Sequence, residues 1–335
     1  MSRSSSLLVT GGAGYVGSHV AVAALDAGRD VLVADDFTNA THDAIERIAA
    51  AAGGRRPRVV EVDVTDRERL ERALAGESIA AAIHLAGGGD VVGALNVREV
   101  VGTVPFVFSS SASVYGVPWR CPIEEHDACA PASVEGVATV AAERALQAAS
   151  ARGSPLAILR YFHAAGAHSS GQLGPEPDDG SALVTRLLRT ASGEMPSITL
   201  MGCDYPTRDG TALRDYVHVV DVAEAHLRAL EALELRGSSL VLNLGSPRGC
   251  TVREVVSAFE AAAGRRITVV PGPRRASDPP ELWASAARAR DVLGWEARRT
   301  LVRMCEDLLR WARRLAEDPF ANHGQAGGLD VAFRL

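Results

Sequence analysis

With 335 residues, 47% of them apolar, the chain can fill the core of one large α/β domain and a smaller lobe, and its net charge of −6, with no basic run, argues against a nucleic-acid or anionic-membrane partner. Met1 to Ser6 is short and polar and no apolar run reaches spanning length, so neither a leader nor a membrane anchor is expected and the expected compartment is the cytoplasm. The cysteines (Cys121, Cys129, Cys203, Cys250, Cys305) are five, scattered and without a C-x-x-C pair, which argues against a disulfide framework and against a metal site.

The first predicted element is a strand, Leu7-Leu8-Val9-Thr10, that stops at a glycine cluster and passes at once into a helical pattern. Gly11, Gly14 and Gly17 have the spacing G-x-x-G-x-x-G. The first permits a turn where a side chain would clash, the second leaves room for a pyrophosphate, and the third lets the helix pack closely on the strand. The helix N-terminus then offers its free N–H groups to the anion. A second strand over 31–34 ends at Asp35, where a carboxylate can hold a ribose 2′-hydroxyl.

Further on, the pattern predicts a helix over 45–52, a strand over 58–62 ending at Asp63, and a charged amphipathic helix over 66–75. A strand over 79–85 closes on Ala86-Gly87-Gly88-Gly89, and another over 106–108 runs into Ser109-Ser110-Ser111. Residues 141–151 belong to a long helix, and 155–160 form a sixth strand. Such alternation predicts an α/β fold, a doubly wound parallel Rossmann-type sheet with ligands beyond the carboxyl ends of the strands. After about residue 165 the pattern loosens. Residues 171–180 read as a loop, 183–191 as a helix, 204–215 as a turn-rich stretch, and 221–235 as a helix. A strand over 239–244, a helix over 252–263 and a proline-rich stretch over 269–280 follow, and 323–335 has no clear partner. The expected division is a dinucleotide domain over 1–165, to which 212–235 returns, and a smaller lobe over most of 166–335.

These landmarks, in this order, resemble the extended short-chain dehydrogenase/reductase family, and within it the UDP-glucose 4-epimerases. The stretches that carry the resemblance include Thr10-Gly-Gly-Ala-Gly-Tyr-Val-Gly-Ser-His19, Asp63-Val64, His84-Leu-Ala-Gly87 and Phe108-Ser-Ser-Ser-Ala-Ser-Val-Tyr-Gly116. Arg160-Tyr-Phe-His-Ala-Ala-Gly-Ala-His168, Asp204-Tyr-Pro-Thr-Arg-Asp-Gly-Thr211, Arg214-Asp-Tyr-Val-His-Val219, Asn243-Leu-Gly245 and Pro273-Arg-Arg-Ala-Ser-Asp278 extend it nearly end to end. The resemblance implies NAD as cofactor and a nucleotide-diphosphate sugar, a UDP-hexose, as substrate. By it, Gly11, Gly14 and Gly17, with Tyr15 and Val16 beside them, would cradle the pyrophosphate. Asp35, next to Asp36, would hold the adenosine ribose and disfavour a 2′-phosphate. Asp63 and Val64 would flank the adenine, while Leu85, Ala86 and Gly87 would lie along the cofactor. Ser111 would hydrogen-bond the sugar oxygen being oxidised, and His163, Arg214, Arg275 and Asp278 would face the UDP diphosphate and ribose, for which arginine forks are suited.

The chain departs from the family where the chemistry sits. The family's Tyr-x-x-x-Lys pair supplies a phenolate base and a lysine that holds the nicotinamide ribose and lowers the tyrosine pKa. Here Glu135 stands at the tyrosine position and Thr139 at the lysine position, and all 35 basic residues are arginine, so no realignment restores the pair. The segment between Gly87 and Phe108 is shorter than the family's by about a dozen and a half residues, more than a typical whole loop. It lacks a cofactor-touching asparagine and part of a helix that helps make the family's homodimer, so a homodimer would be weakened. His163 and Ala182 stand where asparagines are expected. Two readings follow. In one, Glu135 replaces the tyrosine as base. A carboxylate of pKa about 4.3 needs no lysine beside it, and partial burial near Ser111 would raise that value; Tyr115 is a second candidate base. In the other, the chain binds NAD, a nucleotide sugar, or neither, without turnover. A nucleotide-sugar dehydrogenase or dehydratase is a third class.

Overall fold

The computed structural model describes residues 5–150, 153–175, 183–275 and 278–317. The alternation read from the sequence builds β1 (Ser6–Thr10), α1 (Tyr15–Asp26), β2 (Val31–Asp35), α2 (Asp43–Ala51), β3 (Arg58–Glu61), α3 (Arg67–Ala73) and β4 (Ile79–His84). Then come α4 (Val91–Val101), β5 (Phe106–Ser111), a short 3-10 turn over Ala112–Tyr115, α5 (Val134–Ser150), β6 (Leu156–Tyr161) and β7 (His163–Ala165). The second half holds α6 (Leu183–Ala191), β8 (Ile198–Met201), β9 (Leu213–Arg214), β10 (Tyr216–His218), α7 (Val219–Arg236) and β11 (Leu240–Leu244). It ends with β12 (Cys250–Thr251), α8 (Val252–Ala263), β13 (Val269–Gly272), β14 (Glu281–Leu282), α9 (Ala287–Leu293) and α10 (Leu301–Glu317).

Seven strands form one parallel sheet in the order β11-β6-β5-β4-β1-β2-β3. Every residue of β1 and β2 is buried, as expected of parallel strands covered on both faces. Side chains alternate between two apolar layers. Val9, Val33, Ile83 and Val107 meet α1, α2 and α7 on one face, while Leu8, Leu32, Phe106 and Phe108 meet α4 and α5 on the other. The strand order reverses between β1 and β4, so a ligand crevice opens beyond the carboxyl ends of these two strands.

Leu240–Leu244 pairs with β6 over five residues, so this strand lies in the central sheet and not, as expected, with the smaller lobe. That lobe has its own core of Leu187, Ile198, Val255, Phe259, Leu308 and Trp311. Two features of it differ from the sequence expectation. The proline-rich stretch begins as β13, parallel to β8. The chain then returns as a 17-residue amphipathic helix, α10, packed on α8. Among the described residues no helix is long and apolar enough to cross a membrane. The stretch over 323–335 and Ala182 lie outside the described residues.

Candidate active site

The glycine turn at the end of β1 is built by close contact. Gly11 has φ 66°, and a Cβ there would come within 2.7 Å of the Ala86 nitrogen. A Cβ on Gly17 would lie 2.0 Å from the Gly11 carbonyl oxygen, so only glycine lets α1 settle on the strand. Gly14 is different. It is the N-cap of α1, and a Cβ there would meet nothing nearer than the Gly11 oxygen at 3.4 Å. The side of the turn facing the crevice is therefore open, with the first-turn amides of Tyr15 and Val16 left without intrahelical partners. The Tyr15 ring turns away and donates its hydroxyl to the Gly166 carbonyl at 2.7 Å, so its backbone alone can serve an anion.

Asp35 ends β2 beside this turn and is buried, which pushes its carboxyl pKa up. Its two oxygens accept from the amides of Ala13 (2.9 Å) and Phe37 (3.0 Å). The latter bond requires Phe37 at φ 55°, a left-handed conformation that costs a side-chain-bearing residue roughly 1–2 kcal/mol. Stacking of its ring on His42 at 4.0 Å accompanies this turn. Nothing in the residue type announces the conformation of Phe37, and the sequence reading missed it. Asp36 is exposed and occupied with Thr38. Asp63 is exposed and accepts from the amide and hydroxyl of Thr65, which hold its carboxyl below the ordinary range, while Val64 beside it is buried. Leu85, Ala86 and Gly87 leave β4 directly opposite Gly11. An open pyrophosphate cradle, a ribose carboxylate and a buried apolar wall fit the adenosine diphosphate half of a dinucleotide.

The other half of the crevice is built differently. Ser111 ends β5 half-buried, and its hydroxyl oxygen accepts from the Ser113 amide at 3.1 Å, keeping its proton free to donate. Glu135 is exposed, so the expected burial near Ser111 is corrected. The cause is Gly136, which takes the inward position of the first turn of α5; a Cβ there would lie 2.5 Å from the Ser113 oxygen. Thr139 is 1% exposed and its hydroxyl donates to the Glu135 carbonyl at 2.9 Å. Gly89, the last of three consecutive glycines with positive φ, is pressed onto it, since a Cβ on Gly89 would lie 2.5 Å from the Thr139 hydroxyl oxygen. The glycine run signals a tight turn in the sequence, but not what it lands on.

Tyr115 does not face this crevice. Its hydroxyl donates to Asn243 Oδ1 (2.7 Å) and accepts from Arg160 (2.9 Å), and burial pushes its pKa up to about 12 despite the guanidinium. Behind it, Arg160 forms a buried pair with Glu143, which also accepts from Ser110.

On the lobe side, β7 and β9 bring His163 and Arg214 together. His163 is reached by solvent yet ringed by protein, and that crowding, with the Arg214 charge, lowers its pKa. The Arg214 guanidinium lies 3.6 Å from the Asp278 carboxylate and donates to the Pro279 carbonyl. Arg275 is exposed, whereas Arg274 lies over the Tyr205 ring and pairs with Asp204. Asp215, not singled out in the sequence, is fully buried beneath this group. It accepts from the amides of Ser246 (2.7 Å) and Ala284 (3.0 Å), and burial pushes it up to about 6.

Residues 7–245 match the family described as NAD dependent epimerase/dehydratase. UDP-glucose 4-epimerase 3 of Oryza sativa subsp. japonica is 38% identical, over 92% of this chain and 90% of the relative. UDP-glucose 4-epimerase of Bacillus subtilis (strain 168) is 36% identical, over 91% and 96%. Among solved structures, the UDP-glucose-4-epimerase of Stenotrophomonas maltophila, with bound NAD and formylated UDP-arabinopyranose, superposes with a TM-score of 0.89 at 36% identity, over 93% of this chain and 99% of that one. The enzyme of Bifidobacterium longum, in complex with NAD+ and UDP, gives 0.85 at 32% identity, over 95% and 100%. Agreement of sequence, sheet order and glycine turn over nearly the whole length places this chain in the NAD-dependent epimerase/dehydratase family, among proteins similar to the UDP-glucose 4-epimerases.

Proposed function

We propose that this chain binds NAD and a UDP-hexose and converts the sugar, most simply at C4, with Glu135 in the place of the usual tyrosine. The observation that supports this reading is the open glycine turn with Asp35 at the carboxyl ends of β1 and β2, in a chain that also holds the Arg214–Asp278 pair near His163 and Ser111 at the end of β5. Ser111 would donate a hydrogen bond to the sugar oxygen, and the Glu135 carboxylate would take the proton that this oxygen loses. Arg214, with Arg275, would hold the diphosphate, and Asp278 the ribose. NAD, when bound, supplies the hydride acceptor. A homodimer, weakened by the short 87–108 segment, belongs to the same proposal.

The test is incubation of the purified chain with UDP-glucose or UDP-galactose, followed by NMR of the anomeric protons. Interconversion is expected, with Glu135→Gln slowing it about a hundredfold or more while the melting temperature holds, because the side chain is exposed. No product across UDP- and TDP-hexoses would sink the enzymatic reading and leave binding without turnover. That second reading is favoured by the burial of Thr139, which leaves nothing at the lysine position to reach a ligand. A product changed in mass would instead indicate dehydrogenation or dehydration, because epimerisation leaves mass unchanged.

A further inference from the structure

We propose that the nucleotide site of this chain recognises an adenosine 5′-diphosphate group as a whole ligand, so that ADP and ADP-ribose occupy it on equal terms with NAD. This rests on the NAD site proposed above and specifies which half of that site supplies the grip.

The crevice runs from the ends of β1 and β2 across to the ends of β4 and β5. Over β1 and β2 it offers the first-turn amides of Tyr15 and Val16 beside Gly14, and the Asp35 carboxylate. Over β4 and β5 the wall is the segment after Gly87, and its hydrogen-bonding side chains through α4 are capping, paired or buried against the sheet, Arg98 with one nitrogen unpartnered over the Phe106 ring. Asp90 caps α4 through the amides of Val92 (3.0 Å) and Gly93 (2.9 Å). Asn96 donates to the carbonyls of Val64 (3.1 Å) and Thr65 (2.9 Å), on the adenosine side. Arg98 is buried and donates to the Val104 carbonyl, and Glu99 pairs with Arg67. The facing helix adds nothing, because Thr139 is covered by Gly89 and its hydroxyl is spent on the Glu135 carbonyl. Ser111 and Glu135 remain, both assigned above to the sugar, while the unpartnered Ser113 hydroxyl is sealed inside the protein. Binding energy therefore comes mainly from the ADP portion common to all three ligands, and among the described residues of this wall a nicotinamide ribose gains no side-chain partner.

Calorimetric titration of the full chain, stripped of nucleotide, with NAD+, ADP-ribose and ADP tests this. The three dissociation constants are expected to agree within about fivefold. Asp35→Ala should weaken all three by about tenfold or more, and Thr139→Val should change none by more than about twofold. NAD+ binding more than about fivefold tighter than ADP-ribose would overturn the proposal while leaving the NAD site standing. So would a Thr139→Val chain that lost NAD+ affinity but kept ADP-ribose. Failure of all three ligands to bind would overturn the NAD site itself.

Discussion

A base must be reachable and able to lose its proton, and the five tyrosines of this chain fail on one count or the other. Tyr15 is bonded to the Gly166 carbonyl and Tyr161 to the Ser109 hydroxyl, and burial raises the pKa of both. Tyr216 is buried beside His163 and pushed up to about 12. Tyr205 lies under Arg274 with its hydroxyl buried. Tyr115, the candidate nearest Ser111 in sequence, is occupied by Arg160 and Asn243. Tyr115→Phe should therefore leave any sugar turnover within about twofold while costing about 1–2 kcal/mol of stability, because it strands Asn243 Oδ1 and removes an acceptor from Arg160. Urea unfolding read beside the NMR assay checks both parts, and a hundredfold fall in turnover would return Tyr115 to the chemistry. Asp35 makes the opposite case. Its place at the end of β2 was legible from the glycine spacing and the strand before it, because both are local features.

At the scale of elements, the buried network behind Tyr115 sets the spacing of the cleft floor. Glu143 on α5 accepts two bonds from Arg160 on β6 and one from Ser110 on β5, so a helix and two strands are tied through one carboxylate. Both charged side chains are at most 6% exposed. Removing one partner strands the other, so Glu143→Ala should cost about 3–5 kcal/mol, whereas Glu71→Ala, which breaks the exposed Arg67–Glu71 pair, should shift the midpoint far less. Denaturant midpoints of the two variants decide it, and equal losses would mean the network is not closed in solution. None of this was visible in the sequence, for a physical reason: Tyr115 and Asn243 are 128 positions apart, and only the fold brings them together. The strands and helices of the sheet were legible to within a few residues, since burial on both faces writes continuous apolar runs. α4 was not read as a helix, although Asp90 before an apolar run is an N-cap signal. α10 also carried its signal, apolar residues at 301, 304, 305, 308, 309 and 312, and went unread among its arginines. The two- and three-residue strands β7, β9, β10, β12 and β14 are too short for any period to show.

At the scale of the whole molecule, the sheet domain and the lobe meet across buried histidines. His19 on α1 bonds the Tyr15 carbonyl, and its ring centroid lies 6.3 Å from that of His168. His218 caps α7 and stands 3.4 Å from Asp307 of α10. His84 bonds Thr10 within the sheet, and His226 bonds Val222 on α7. Burial lowers the pKa of His19 to about 3 and of His84, His218 and His226 to about 4. In the unfolded chain each returns to about 6.5. Between those values the unfolded state takes up protons that the folded state refuses, so stability falls as pH drops from about 6.5 towards 4, by about 1.4 kcal/mol per pH unit for each histidine. Asp215, raised to about 6, and Asp35, also raised, act in the other direction, because the folded state binds their protons first and gains stability as pH falls. Four groups against two leave a net loss. The urea midpoint should accordingly decline steadily from pH 7 to pH 4.5, and His226→Leu, which removes one titrating group from an apolar site, should flatten that net decline by about a third. A midpoint that held level or rose over this range would show that the histidines take up their protons without unfolding, and that their sites are open to water.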